Sequence, residues 1–133
     1  MAKTNKVIYR ISTAWLSLGM LSTGIVQLMK NEAEVKMMDL LGYPLYFLSL
    51  LGVWKILGVI AILIPRYPLL KEWAYAGFFF AMTGAVYSHL AVGDEPVSLF
   101  GPSLLLVLTI VSWYFRPESR KMVLIKAGRN FER

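Results

Sequence analysis

The sequence predicts an all-α integral membrane fold, a four-helix up-down bundle. Three observations carry the prediction: four long apolar runs, a charge content too low for an ordinary soluble domain, and a one-sided distribution of lysine and arginine. Of the 133 residues, 57% are hydrophobic and 17% charged, against about 25% charged in typical soluble domains. Lipid is therefore the expected solvent for most of the chain.

The runs cover residues 8–29, 44–64, 73–92 and 99–115. Each approaches the ~20 helical residues that cross a ~30 Å hydrocarbon layer, the fourth being the shortest. Lipid offers no partner to a bare peptide group, so such runs close their hydrogen bonds within themselves as helices. A membrane barrel would need alternating apolar and polar positions, and none occur. The first run begins among Lys3, Lys6 and Arg10 in the manner of a secretory signal. It is too long for a signal core and has no small-residue cleavage pattern, so it is expected to stay as the first span.

Short connections make spans two, three and four sequential neighbours. The Pro65-Arg66-Tyr67-Pro68 corner is expected to stop span two. Pro102 falls in or near the first turn of span four, where a missing N–H is tolerated. Tyr43, Tyr46, Trp73, Tyr75, Trp113 and Tyr114 lie near span ends, as expected of an interfacial aromatic belt. Phe78, Phe79 and Phe80 cover most sides of span three and are expected to pack or face lipid.

Eleven of the 14 basic residues, all but Lys30, Lys36 and Lys55, fall before or at the start of span one, between spans two and three, or after span four. The opposite side collects Glu32, Glu34, Asp39, Asp94 and Glu95. Because cytoplasmic flanks retain Lys and Arg, both termini are expected in the cytoplasm. Residues 1–115 then form the bundle and residues 116–133 a basic cytoplasmic tail. The tail's apolar patch at 122–125, with its basic flanks, suits an anionic membrane surface. The net charge of +6 thus reports orientation, and no nucleic-acid recognition module accompanies it.

In lipid, small residues mark where helices approach and polar residues mark inward faces. Span one carries Thr13, Ser17, Met20, Gly24 and Gln27 on one face, and span two Gly52, Lys55, Gly58, Val59 and Ile62. Ala74, Gly77, Ala81, Ala85, Ser88 and His89 share a side of span three; Pro102, Leu105, Thr109 and Ser112 share one of span four.

Lys55 stands out because a lysine at mid-bilayer costs at least ~2.5 kcal/mol. It lies about eleven residues, ~16 Å of helix, from the start of its span, too deep for easy snorkelling. Ser17 and Thr109 are expected at a similar level, but they are not counter-charges. With no Asp or Glu inside a span, compensation has to come from a neutral amine, a water-filled cavity, a bound anionic or carbonyl-bearing ligand, or a loop acid folded inward. A lysine bonded only to hydroxyls and backbone carbonyls is the purely architectural alternative. His89, the one histidine, is near the far end of span three, at the depth of Gln27 and five residues before Asp94. It reads as a proton relay or as a capped helix end. Lys55, His89, Gln27, Ser17, Thr109 and Asp94 are accordingly the candidate ligand-pocket residues, with no catalytic or metal-ligating set among them.

Other chemistries lack their residues. The absence of cysteine excludes thiol oxidation, and a single histidine cannot supply bis-histidine haem within one chain. Proton-coupled export generally uses an embedded carboxylate, where this chain has a lysine. No hydrolytic triad or phosphate loop is visible.

Residues 41–94 carry Gly42-Tyr43-Pro44, Trp54-Lys55-Ile56-Leu57-Gly58, the Lys71 to Gly77 segment KEWAYAG, Ser88-His89-Leu90 and Gly93-Asp94. In this order and spacing the chain resembles the DoxX-like family, and the four-span plan extends the likeness over nearly its whole length. The resemblance implies a small bacterial inner-membrane four-helix bundle, without a settled activity for most members. The family name derives from a subunit associated with quinone-linked sulfur oxidation, and distant animal relatives act as assembly chaperones for membrane receptors. Many relatives carry a carboxylate on the second helix, where the charged residue here is Lys55. The expected function is a non-catalytic membrane protein whose pocket around Lys55 binds a small amphipathic ligand, a quinone or a lipid. A helper subunit of a membrane redox complex, or a homo-oligomer, is the alternative, and a small transporter is a third class.

Overall fold

A chain in lipid has to satisfy its own peptide groups, and it does so here as helix. The computed structural model describes residues 3–121, among which no strand forms. The expected tail patch at 122–125 lies outside the described residues. Five α-helices follow in order: α1 (Lys3–Leu28), α2 (Glu32–Leu41), α3 (Leu45–Leu63), α4 (Pro68–Ala91) and α5 (Phe100–Tyr114). A 3-10 turn at Pro96–Leu99 leads into α5.

Three stretches, Lys3–Leu28, Leu45–Leu63 and Pro96–Tyr114, are long and apolar enough to cross a membrane. Helix α4 has the length, with 24 residues, but Lys71, Glu72, Ser88 and His89 make it more polar. The burial pattern supports a lipid solvent. Lys55, Gln27, His89, Thr109 and Ser112 are buried, while Trp15, Leu18, Leu57, Phe80 and Leu90 point outward. Such an inversion is unfavourable in water and natural in hydrocarbon.

Helix α2 is absent from the four-run expectation. Its ten residues are too short and too mildly apolar to register as a span, and local chemistry defines it instead. The Asn31 side chain accepts from Ala33 N at 3.0 Å, capping its start. Gly42, at φ 81°, ends it in the left-handed conformation. The Pro65–Pro68 corner behaves as expected. Arg66 and Tyr67 both take positive φ, and Pro68 opens α4 with its φ already set for helix.

The four long helices form an antiparallel ring in which α1 touches α3 and α5, and α4 touches the same two; α2 lies against α3. Thr13 of α1 meets Ser112 of α5, Gly19 faces Leu105, and Tyr43 before α3 meets Ser88 near the end of α4. The backbones of α1 and α3 approach closely. A Cβ on Gly52 would lie 2.7 Å from the Gly24 carbonyl oxygen and 2.8 Å from Leu28 Cγ. Most of the expected faces of these two helices are buried: Thr13, Ser17, Met20, Gly24 and Gln27 on α1, and Gly52, Lys55, Val59 and Ile62 on α3, while Gly58 turns instead toward Phe78 of α4.

Two expectations for α4 need correction. Tyr75 is not part of an interfacial belt: it is 4% exposed within the core formed with Leu16, Met20, Val59, Ile62, Phe78 and Met82. Nor do all the small residues bring α4 against a neighbour: Ala74 and Ala81 pack against that core, but the glycines do not. A Cβ on Gly77 or Gly84 would meet nothing within 4 Å, because the larger Tyr75, Phe78 and Met82 set the helix spacing. The glycines leave space beside them.

Candidate functional site

That space is a cavity of about 670 Å³ in the half of the ring covered by α2, and every α-helix contributes to its wall. Gly77, Ala81, Gly84 and Ala85 form much of the α4 side, and Met37, Met38 and Leu41 of α2 close it from above. Its wall is mainly apolar, with a few polar groups converging from different helices, which is the usual composition of a small-molecule site. Trp54 and Phe80, both exposed, also line it, so the cavity reaches the surface between α3 and α4. There it adjoins an apolar groove of about 420 Å³ with which it shares Leu51, Trp54, Lys55, Gly77 and Ala81.

Lys55 is buried at the boundary of the two spaces. Its Nζ donates to Thr23 Oγ1 at 3.2 Å. Thr23 is able to accept because its own hydroxyl donates back to Gly19 O at 2.8 Å. Thr23, rather than Ser17 or Thr109, is therefore the hydroxyl that meets Lys55. Depth counting from Cα positions missed it because the lysine stem carries Nζ several ångströms from its own Cα.

The six expected pocket residues divide. Lys55, Gln27 and His89 line the cavity together; Ser17, Thr109 and Asp94 do not. Ser17 is buried and its hydroxyl has no partner among the described residues. Thr109 donates back to Leu105 O at 2.7 Å, the usual way a hydroxyl is satisfied within a helix. Asp94 lies behind His89, with Oδ2 2.8 Å from Nδ1 and Oδ1 accepting from Glu95 N at 2.8 Å. The His89 hydrogen bond, followed by the Glu95 amide, holds the Asp94 carboxyl below the usual carboxylate range. Because Asp94 accepts, Nδ1 carries the ring proton, which fixes the tautomer of a neutral His89.

Sequence reasoning also missed Glu34. Helix α2 carries it to the ring, where Glu34 joins Lys55 in the cavity wall. The two charges make no ion pair within 4.0 Å. Gln27 Nε2 points to Glu34 Oε2 at 3.5 Å, and Gln27 Oε1 is buried without a partner among the described residues. The amide orientation is set by charge, since a flip would place Oε1 against the carboxylate. Tyr43 closes the α2 side by donating to Ser88 Oγ at 2.6 Å, as Ser88 itself donates to Gly84 O. The pairing of Asn31 three residues before Glu34 and Gly42 at the far end was the signal available in the sequence.

A helical ring with polar groups inside and large apolar side chains outside defines a membrane protein. The DoxX-like family model matches residues 11–112, and the chain belongs to the DoxX-like family. No curated protein and no solved structure matches it.

Proposed function

We propose that this chain is a non-catalytic ligand-binding membrane protein, spanning a bacterial inner membrane four times with both termini in the cytoplasm, and that its cavity takes a small amphipathic molecule of the quinone or lipid type. The observation that carries this is the union of two spaces at Lys55. A polar end formed by Lys55, Gln27, Glu34 and His89 continues into an apolar groove that opens between α3 and α4. A head group fits the first and a hydrocarbon chain the second.

Purification in native-lipid particles followed by mass identification of co-purifying lipids and quinones tests the reading. The wild-type protein should retain a defined molecule, and Lys55→Met should lose it while keeping its helical content. A folded Lys55→Met protein that keeps every bound species would rule the pocket out.

A second reading, a helper subunit of a larger membrane complex, draws support from the open space beside Gly77 and Gly84 on α4, since small residues are where transmembrane helices dock. Mild-detergent purification would then recover a stoichiometric partner.

A further inference from the structure

The polar end of the cavity has a donor and acceptor pattern that restricts the head group, given that it binds a ligand as proposed above. Lys55 brings three N–H donors, of which one is used by Thr23. Gln27 is 4% exposed and lines the cavity, and its Oε1 accepts from nothing among the described residues. Glu34 adds a carboxylate, a pure acceptor.

An anionic head would satisfy Lys55 and nothing else. It would leave Gln27 Oε1 unpaired and add a second negative charge beside Glu34. A bare carbonyl would likewise satisfy only the lysine. A hydroxyl satisfies both sides, because one oxygen accepts from an ammonium and donates to an amide oxygen.

The spacing agrees with this. Thr23, which holds Lys55 Nζ, and Gln27 are one turn apart on the same face of α1, so their side chains start ~5–6 Å from each other. Two hydrogen bonds through a single oxygen span about that distance.

We propose that the site selects an uncharged hydroxyl-bearing amphiphile, whose hydroxyl accepts from Lys55 Nζ and donates to Gln27 Oε1, while Glu34 rather than the ligand supplies the negative charge opposite Lys55. Lipid alcohols and reduced quinones share this chemistry; fatty acids, phosphorylated lipids and oxidised quinones lack it.

Binding of oleyl alcohol, its methyl ether and oleic acid to the full chain in phosphatidylcholine nanodiscs separates these cases, with a ubiquinol and ubiquinone pair locating the source of the hydroxyl. The alcohol should bind at least about tenfold tighter than the ether or the acid, since each competitor leaves a buried group unpaired. Gln27→Met should reduce the preference for alcohol over ether to within about twofold. Glu34→Gln, on a half-exposed position of α2, should improve binding of the acid several-fold, and it decides the matter if Gln27→Met fails to fold. An ether or acid that binds wild type as well as the alcohol overturns the hydroxyl assignment and leaves the pocket standing. A folded protein that binds none of the five probes overturns both the assignment and the pocket.

Discussion

The two ends of the helical ring treat buried polar groups in opposite ways. At the end holding the start of α1 and the finish of α3, most polar side chains are spent on one another and on the backbone. Ser112 Oγ is 2.6 Å from Thr13 Oγ1 and 2.8 Å from Tyr75 OH. Lys71 is 1% exposed, and its Nζ donates to the carbonyls of Ala61, at 2.8 Å, and Ile64. Arg120 Nη1 donates to Ile62 O at 3.0 Å, so two cations serve the final carbonyls of α3, where the helix dipole favours positive charge. Arg116 lies 2.7 Å from Glu72 and stacks over Trp113, whose Nε1 also donates to Glu72. At the α2 end, Lys55 has one hydroxyl partner and a cavity beside it. Both ends bury a lysine; Lys71 has two carbonyl partners for its three donors, where Lys55 has a single hydroxyl. The basic end is built as a joint, and the α2 end encloses a cavity.

The largest effect should come from breaking the joint. Lys71→Met strands carbonyls at the end of α3 and should lower stability by about 3 kcal/mol, measured by denaturant unfolding in micelles. Losing as little as Lys55→Met loses would erase the distinction between the ends.

Next comes the contact that sets the width of the ring. Gly52→Ala drives a methyl against the Gly24 carbonyl and should cost about 1–3 kcal/mol. Gly77→Ala meets open space and should stay within about 0.5 kcal/mol of wild type, with helix propensity favouring alanine. The same unfolding assay measures both, and equal losses would mean that α4 packs as closely as α1 and α3.

Lys55→Met should change stability by less than about 1 kcal/mol, because an apolar side chain replaces a charge that has few partners. Under the proposed function its effect falls on ligand retention.

The smallest effect concerns the connection behind His89. The Asp94 carboxyl is held below its ordinary value, so its contribution to order is complete above the unfolded carboxylate pKa of about 3.9. That contribution fades as pH falls through the lowered folded value. Hydrogen exchange at residues 92–98 should therefore speed up in acid, and Asp94→Asn should abolish that pH dependence. An unchanged acid profile in the variant would place the sensitivity elsewhere.

Much of the fold was legible because its signals are local. Hydropathy marks the long helices, and periodicity marks the α1 and α3 faces, since Gly24 and Gly52 leave few other ways to pack those helices together. The Pro65–Pro68 corner and the Asn31 and Gly42 caps act through neighbouring backbone and were equally present in the sequence, although a count of apolar residues passes over a helix as short as α2. The candidate site was legible in part, through Lys55, Gln27 and His89 as polar residues on inward faces.

What the sequence by itself determined is an all-helical membrane protein with a buried lysine on α3. Only the tertiary structure decided what surrounds that lysine. Thr23 meets it because of where a flexible stem ends, and Glu34 shares its cavity because α2 contributes to the wall. The cavity exists because Tyr75, Phe78 and Met82 hold α4 away while Gly77 and Gly84 leave the gap unfilled. Propensity and hydropathy are sums along one segment, whereas a cavity is a difference between volumes supplied by several, and that difference is set only when the helices meet.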